Sequence, residues 1–122
     1  MLTEKDYCYY DTCVALYELG LTFEDASQRF ERNILTNRYE EIPRPLLYET
    51  QKWLREEKDV IIVVCPYTYD IINKTHTWTC EIWFGDNLEY EIHNFKSYEK
   101  ALSKGIKEAI KILKDEELTK DF

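Results

Sequence analysis

A tryptophan and three titratable side chains stand at alternating positions in two segments of the second half of the chain. The stretch WTCEIWF, residues 78–84, has the two-residue period of a strand, so Glu81 and Trp83 share one face. The stretch EYEIHNF, residues 89–95, likewise places Glu91 and His93 together. An indole stacks on planar rings, while carboxylates and an imidazole hydrogen-bond to polar groups. These four side chains are therefore candidate ligand-binding residues.

Arg44 is the fifth candidate. It precedes Pro45, which suits the first turn of a helix, and free backbone N–H groups at a helix start favour an anion. Arg44 could therefore meet a ligand phosphate. The alternative is that Arg44 is an ordinary surface charge paired with Glu40 and Glu41. Other basic residues occur in the same part of the chain, at Arg29, Arg32 and Arg38.

The sequence has no recognisable catalytic motif. Its three glycines form no GxGxxG, Walker or GxSxG pattern, and His76 and His93 belong to no HExxH pattern. The four cysteines, at Cys8, Cys13, Cys65 and Cys80, include no CxxC pair, so we expect reduced and mostly buried thiols rather than a zinc site. We expect a protein without catalysis, cofactor or metal.

The net charge of −8 over 122 residues excludes broad classes of partner. An acidic chain is repelled by the phosphates of DNA and RNA and by anionic membranes, although one local basic pocket for a small anion stays possible. The first residues, MLTEKDYCYY, lack the basic and apolar segments of a secretory signal, so we expect a cytoplasmic protein.

Helices are predicted for the N-terminal half. Thr3 with Asp6 and Thr22 with Asp25 are spaced like capping boxes, and Gly20 suits a helix C-cap. These signals predict helices over about 4–19 and 23–33, paired as a helical hairpin. A connector to residue 41 leads to a third helix over about 45–58.

Three strands and a last helix are predicted for the remainder. β-Branched and aromatic runs separated by turn residues predict strands over about 60–69, 76–84 and 88–95. Ser97 then caps an amphipathic helix over about 98–114, followed by a charged tail over 115–122. The expected fold is α+β: one domain, 1–122, in which an antiparallel meander packs one face against the C-terminal helix.

Hairpin registers assign residues to the two faces of the meander. A two-residue loop at Asn73–Lys74 pairs Cys65 with Ile82, and a three-residue loop at 85–87 pairs Ile82 with Tyr90. The helix-covered face then holds Ile61, Val63, Cys65, Tyr67, Trp78, Cys80, Ile82, Phe84, Leu88, Tyr90 and Ile92. The second face holds Val60, Ile62, Val64, Thr79, Glu81, Trp83, Glu89, Glu91 and His93, with Glu81 opposite Glu91.

Three interpretations of the second face stay open. Its apolar part, Val60, Ile62, Val64 and Trp83, is a homo-oligomer interface. Alternatively, the face lines a ligand pocket at such an interface, with Trp83 as the stacking platform. In the third interpretation, two carboxylates and an imidazole hold a divalent metal, from Glu81, Glu91 and His93.

Two blocks of the sequence resemble a group of small proteins from phages and prophages of gut bacteria. They are IPRPLLYETQKWLREEKDVIIVVCPY, residues 42–67, and FKSYEKALSKGIKEAIKIL, residues 95–113. The shared features are a QKWLRE helix, an aliphatic strand and a terminal helix of the type SYExALxxGIxEA. The resemblance implies a small accessory protein in the host cytoplasm. Some phage proteins of this size sequester nucleotide immune signals between subunits.

We therefore expect a homo-oligomeric binding protein that sequesters a small ligand, such as a nucleotide signal of host defence. Trp83 would stack on the ligand, Arg44 would meet a phosphate, and Glu81, Glu91 or His93 would bond ribose or base. The alternative is a protein-binding inhibitor whose acidic residues mimic nucleic acid. A small hydrolase is the third possibility.

Overall fold

The computed structural model describes residues 2–30 and 41–120, and these confirm the α+β class. They contain three helices, a two-stranded sheet and a three-stranded antiparallel sheet. The chain forms two compact units, divided between Trp53 and Leu54. Within the described ranges, no helix is both long and apolar enough to cross a membrane.

The elements follow one another in this order: α1 (Tyr10–Glu18), β1 (Gln28–Phe30), β2 (Ile42–Arg44), α2 (Leu47–Lys58), β3 (Val60–Asp70), β4 (Thr75–Phe84), β5 (Asn87–Phe95) and α3 (Tyr98–Lys120). Strand β1 pairs antiparallel with β2, and β4 lies between β3 and β5.

The first predicted helix begins later than expected. The Asp6 carboxylate accepts a hydrogen bond from the backbone N–H of Thr3 at 2.7 Å, as predicted, but this cap closes a single 3-10 turn. Tyr7 then pairs with Leu46 in an isolated bridge, and α1 begins only at Tyr10. The predicted C-cap is confirmed at Gly20, whose φ of 110° is the left-handed conformation that favours glycine.

The second predicted helix, over 23–33, is wrong in its described part, and with it the helical hairpin; residues 31–33 lie outside the described ranges. The Thr22–Asp25 capping box is present, but it closes only the 3-10 turn Phe23–Asp25. The backbone at Ala26 is extended, and the chain continues into β1. Pairing with β2 supplies the backbone hydrogen bonds that a helix would otherwise make.

The later elements confirm the predictions closely. Helix α2 and strands β3 to β5 have nearly the expected bounds, and Trp53 and Leu54 are buried. The Ser97 hydroxyl caps α3 by accepting a hydrogen bond from the N–H of Lys100 at 3.1 Å. Helix α3 continues through much of the segment predicted as a tail. Its apolar stripe is buried at Ala101, Leu102, Ile106, Ala109, Ile110 and Leu113.

The predicted register of β4 with β5 is confirmed in the middle of the hairpin but wrong beside the turn, and that of β3 with β4 is wrong. Strands β4 and β5 pair Ile82 with Tyr90 and Glu81 with Glu91, as predicted, but an irregularity follows, and Trp83 lies opposite Leu88. The turn therefore has two residues, 85–86, and Leu88 shares the face of Trp83 rather than the helix-covered face. Strand β3, however, places Ile62 opposite Ile82, and Cys65 lies opposite Thr79.

Two local features displace the register of β3. The loop has four residues, 71–74, because the Asp70 carboxylate accepts hydrogen bonds from the N–H groups of Ile72 and Asn73. This longer loop moves the pairing by two positions. A β-bulge between Pro66 and Thr68 then moves it by one more. Because the total is odd, the two faces of β3 are exchanged from Val60 to Pro66.

The exchange corrects the composition of both faces. Val60 and Ile62, assigned above to the second face, are buried on the side that α3 covers, here called the α3 face. A Cβ added at Gly105 of α3 would lie 2.5 Å from Cys80 Sγ and 2.9 Å from Ile62 Cγ2, so the helix rests directly on this face. Val64 pairs with Cys80 and so joins them.

Candidate functional site

Four of the five candidate side chains lie on the other face of the sheet, here called the Trp83 face. After these corrections, this face comprises Ile61, Val63, Cys65 and Tyr67 of β3, Thr79, Glu81 and Trp83 of β4, and Leu88, Glu91 and His93 of β5. The apolar row expected from Val60, Ile62 and Val64 is thus replaced by Ile61, Val63 and Cys65, of which Ile61 is 37% exposed.

Glu81 and Glu91 lie on neighbouring strands, and each bonds a side chain two residues further along its own strand. The indole N–H of Trp83 donates a hydrogen bond to Glu81 Oε1 at 3.2 Å. His93 Nε2 lies 3.3 Å from Glu91 Oε1. These bonds give each carboxylate a donor, which offsets the repulsion expected between like charges in directly paired positions.

His93 is fixed by three neighbours. Its Nδ1 lies 2.8 Å from the hydroxyl oxygen of Thr79, which is only 5% exposed, and its Nε2 faces Glu91. The Tyr67 ring stands edge-on to the imidazole, with the ring centroids 4.3 Å apart. A neutral imidazole satisfies this arrangement when Nε2–H donates to Glu91 and Nδ1 accepts from Thr79.

The Trp83 face does not present a metal site. No three His, Cys, Asp or Glu side chains are placed to hold a metal ion in the part of the chain that the structure describes. Glu91 contacts His93, whereas Glu81 accepts a hydrogen bond from Trp83.

Arg44 lies in the unit that ends at Trp53, held over two aromatic rings. Its guanidinium carbon is 4.4 Å from the ring centroid of Tyr7 and 5.0 Å from that of Phe30. The register of β1 and β2 explains this placement. Arg44 pairs with Gln28, and Phe30 is two residues further along β1 on the same face. The Arg44 Nη1 group donates to Gln28 Oε1 at 3.2 Å.

A cavity of about 370 Å³ opens beside Arg44. Two cationic side chains, three aromatic rings and one thiol line it: Lys5, Cys8, Tyr9, Tyr10, Phe30 and Arg44. Tyr10 and Phe30 make an edge-on ring contact, with the centroids 5.2 Å apart. Its volume is in the range of small-molecule sites, and its lining combines positive charge with ring faces.

The helix start beside Arg44 already has an anion from its own chain. Glu49, in the first turn of α2, accepts a hydrogen bond from the N–H of Leu46 at 2.8 Å. The same carboxylate accepts bonds from the N–H and hydroxyl of Ser27 at 3.1 and 2.8 Å. The Glu49 carboxylate therefore occupies this helix start, and Arg44 lines the cavity. Contact between Arg44 and a ligand phosphate stays a prediction.

The cavity was not predicted from the sequence, apart from Arg44. Lys5 and the tyrosines stand in the stretch EKDYCYY, residues 4–10, whose density of rings was the available signal. Its connection to Arg44 depends on the bridge between Tyr7 and Leu46 and on the bond from the Cys8 N–H to the Pro45 carbonyl at 3.1 Å. Neither pairing is visible in the spacing of residues.

The four cysteines are all free, and three of them are buried, at Cys8, Cys13 and Cys80. No protein-family model, no curated protein sequence and no solved structure matches this chain.

Proposed function

We propose that this protein is a non-catalytic binding protein that sequesters a small anionic ligand carrying a planar ring, of the nucleotide type, in the cavity beside Arg44. The observation that supports the proposal is the lining of that cavity, where Arg44 and Lys5 stand among Tyr9, Tyr10 and Phe30. In a chain of net charge −8, this lining gives a local positive site for an anion.

The chemistry of the lining suits such a ligand. A guanidinium recognises phosphate or carboxylate through charge-assisted hydrogen bonds, and its position over Tyr7 and Phe30 limits the rotamers it can adopt. Aromatic walls accept a base or another planar ring by stacking. Binding therefore needs little reorganisation of Arg44, which favours affinity.

The biological setting of the proposal comes from the sequence resemblance. A phage-type accessory protein in the host cytoplasm would remove a nucleotide signal of the host defence by binding it without turnover. In this proposal the Trp83 face is a contact surface between copies of the chain, formed by Ile61, Val63 and Trp83. Trp83, Glu81, Glu91 and His93 would then contact the ligand only where a second copy brings it to them.

A second candidate function is the binding and inhibition of a host protein. The observation that favours it is the tip of the β3–β4 hairpin, where Ile71 and Ile72 are 79% and 90% exposed. Two adjacent isoleucines in water are typical of a contact surface. The acidic surface of the chain would then select a partner with a basic rim.

Calorimetric titration with two probes, ADP-ribose and cyclic di-adenosine monophosphate, tests the proposed function. We expect at least one to bind, and Arg44→Ala to weaken that binding about 10- to 150-fold, because a hydrogen bond to a charged group contributes about 1.5–3 kcal/mol. Arg29→Ala is the matched control, since Arg29 lies on β1 in an exposed pair with Glu41.

Each result of the titration has a defined meaning. Unchanged affinity in Arg44→Ala, or an equal loss in Arg29→Ala, contradicts the cavity as the site. If chromatography shows that the protein hydrolyses either probe, the proposed function without catalysis is contradicted. Binding of neither probe, together with capture of a host protein that Ile72→Asp abolishes, favours the second candidate.

A further inference from the structure

The outer side of α3 carries a stripe of lysines. They recur at intervals of four and three residues along the helix, at Lys100, Lys104, Lys107, Lys111 and Lys114. With about 3.6 residues per turn, they fall within a band about 80° wide and about 21 Å long. This band, here called the lysine stripe, lies opposite the buried side of the helix, which is centred near Ala109. The stripe therefore faces away from the sheet.

The lysine stripe concentrates positive charge in an acidic chain. Asp and Glu number 24 against 16 Lys and Arg, and five of those 16 stand in the stripe. Glu108 lies at the border of the band, where it bonds Lys104 at 3.0 Å. Like charges three and four residues apart repel one another on a helix surface. The stripe therefore favours a partner surface that carries negative charge.

A complementary surface lies on the other side of the same sheet. Glu81 and Glu91 are directly paired across β4 and β5, so two carboxylates stand side by side on the Trp83 face. Side chains in directly paired positions have their Cβ atoms about 5 Å apart. Helix residues three or four apart have theirs about 5–6 Å apart. Two lysines of the stripe therefore match the two carboxylates in spacing as well as in charge.

The Trp83 face also offers apolar surface to a partner. Ile61, Tyr67 and Leu88 are large side chains that are exposed on this face. The aliphatic stem of a lysine covers apolar surface while its ammonium group reaches a carboxylate or water. An ammonium group is also attracted to the face of an indole ring, which Trp83 supplies. The lysine stripe thus suits both the acidic and the apolar parts of the Trp83 face.

We propose that copies of this chain associate head to tail, with the lysine stripe of one copy against the Trp83 face of the next. The inference deepens the contact between copies that is part of the proposed function, and it rests on that contact. Because the two surfaces differ and lie on opposite sides of the sheet, the contact is heterologous. Each copy holds a neighbour on either side, so assembly continues beyond a dimer into a ring or an open chain.

A second copy suits these surfaces better than a nucleic acid does. A duplex would supply phosphates to the lysine stripe, but it would leave the exposed apolar side chains of the Trp83 face uncovered. A second copy covers both surfaces with one kind of contact. The proposal therefore commits to self-association, and binding of a nucleic acid is an outcome that the test distinguishes.

Sedimentation velocity of the full chain over micromolar concentrations tests the contribution of the stripe. We expect the wild type to form species larger than a dimer, and Lys107→Glu combined with Lys111→Glu to raise the dissociation constant about tenfold or more. The matched control is Lys52→Glu combined with Arg55→Glu, which makes the same change in net charge at exposed positions of α2. The control should associate like the wild type.

Mixing two variants tests whether the stripe and the Trp83 face meet each other. Glu81→Lys combined with Glu91→Lys should also prevent self-association, because both surfaces of that variant are then positive. In a mixture with the Lys107→Glu, Lys111→Glu variant, each reversed surface meets a surface of opposite charge. We therefore expect the mixture to associate although neither variant does so alone.

Carbodiimide cross-linking of the wild-type chain tests the contact without any substitution. The reagent joins an amine directly to a carboxylate, and the sheet separates the stripe from Glu81 and Glu91 within one copy. In an equal mixture of ¹⁴N and ¹⁵N chains, we expect mixed-isotope cross-links from stripe lysines to Glu81 or Glu91, identified by peptide mass spectrometry.

Several results would overturn the head-to-tail contact. They are a wild-type chain that stays monomeric, association that reversal of the stripe leaves unchanged, a mixture that does not recover, and cross-links from the stripe to other acids only. Binding of a DNA duplex through the stripe by a chain that does not self-associate would also overturn it. A monomer whose binding of ADP-ribose still depends on Arg44 would contradict this contact but not the cavity, so the two failures are distinguishable.

Discussion

The cavity beside Arg44 and the Trp83 face contain the same kinds of side chain, rings and charged groups, but they hold them differently. On the Trp83 face, Glu81 and Glu91 bond Trp83 and His93, so the polar groups of the face bond one another. Around the cavity, Arg44 rests on two rings while its side chain lines a volume of about 370 Å³.

The difference shows that residue type alone does not identify a binding site. Trp83 and its acidic neighbours were the strongest candidates by type and spacing, yet on the described sheet they form internal contacts that stabilise their own strands. Arg44 was a weaker candidate by type. Its position, set by two short strands and one bridge, places it at the cavity on which the proposed function rests.

The composition of the Trp83 face depends on the register of β3. Substitutions at two neighbouring residues of β3 test that register, and they have the largest expected effect on the free energy of unfolding. Ile62→Ala should lower the free energy of unfolding by about 2–5 kcal/mol, because Ile62 is 3% exposed beneath α3. The matched variant Ile61→Ala should cost under about 1.5 kcal/mol, since Ile61 is 37% exposed. Urea denaturation measures both, and a larger loss for Ile61→Ala would restore the register predicted from the sequence.

Gly105 tests which face α3 covers. Gly105→Ala places a methyl group against Cys80 Sγ and Ile62 Cγ2, so we expect a loss of about 1–3 kcal/mol from overpacking, reduced by the better helix propensity of alanine. Adding Cys80→Ala removes the closest atom and should restore part of the loss. Additive losses in the double variant, measured by urea denaturation, would contradict this contact.

The internal bonding of the Trp83 face predicts a smaller effect. Glu81→Gln keeps an acceptor for the Trp83 indole and removes the charge opposite Glu91, so stability should change by less than about 1 kcal/mol. If the face instead provides the main ligand contact, the same variant should weaken binding of ADP-ribose by more than about tenfold. Thermal denaturation and calorimetry distinguish these outcomes.

The Asp70 turn, which lengthens the β3–β4 loop, predicts a weak pH dependence. The side chain and backbone of Asn73 donate hydrogen bonds that lower the pKa of Asp70 below its unfolded value. Its contribution to stability is therefore complete above the unfolded pKa and is lost as pH falls through the folded pKa. The difference in Tm between the wild type and Asp70→Asn should therefore shrink as the pH is lowered toward 2. A difference that grows would contradict the stabilising hydrogen bonds to the Asp70 carboxylate. The effect is small because Asp70 is exposed.

Much of the fold was predictable from local pattern. Alternation and turn residues predicted the bounds of the strands and the pairing of β4 with β5 from Cys80 to Ile82, and Ser97 marked the start of α3. The register of β3 could not be found in this way, because the four-residue loop and the bulge beside Pro66 act together. A proline inside a predicted strand was the available signal for a bulge.

The helical hairpin shows a second limit of local pattern. The capping box at Thr22 and Asp25 marks a start but gives no length, and pairing of β1 with β2 prevailed over continuation as a helix. The cavity shows a third limit. Its lining comes from three separate parts of the chain, residues 5–10, Phe30 and Arg44, that only tertiary pairing brings together.

NMR mapping of the full, ¹⁵N-labelled chain during titration with ADP-ribose tests the central claim most directly, because it reports on both regions without any substitution. We expect the largest shift changes at the amide signals of Lys5, Tyr9, Tyr10 and Phe30 and at the Arg44 side chain. The Trp83 indole N–H, bonded to Glu81, should change least among the three indole signals. The reverse result, large changes at Trp83 and His93 with the cavity signals unmoved, would contradict the account.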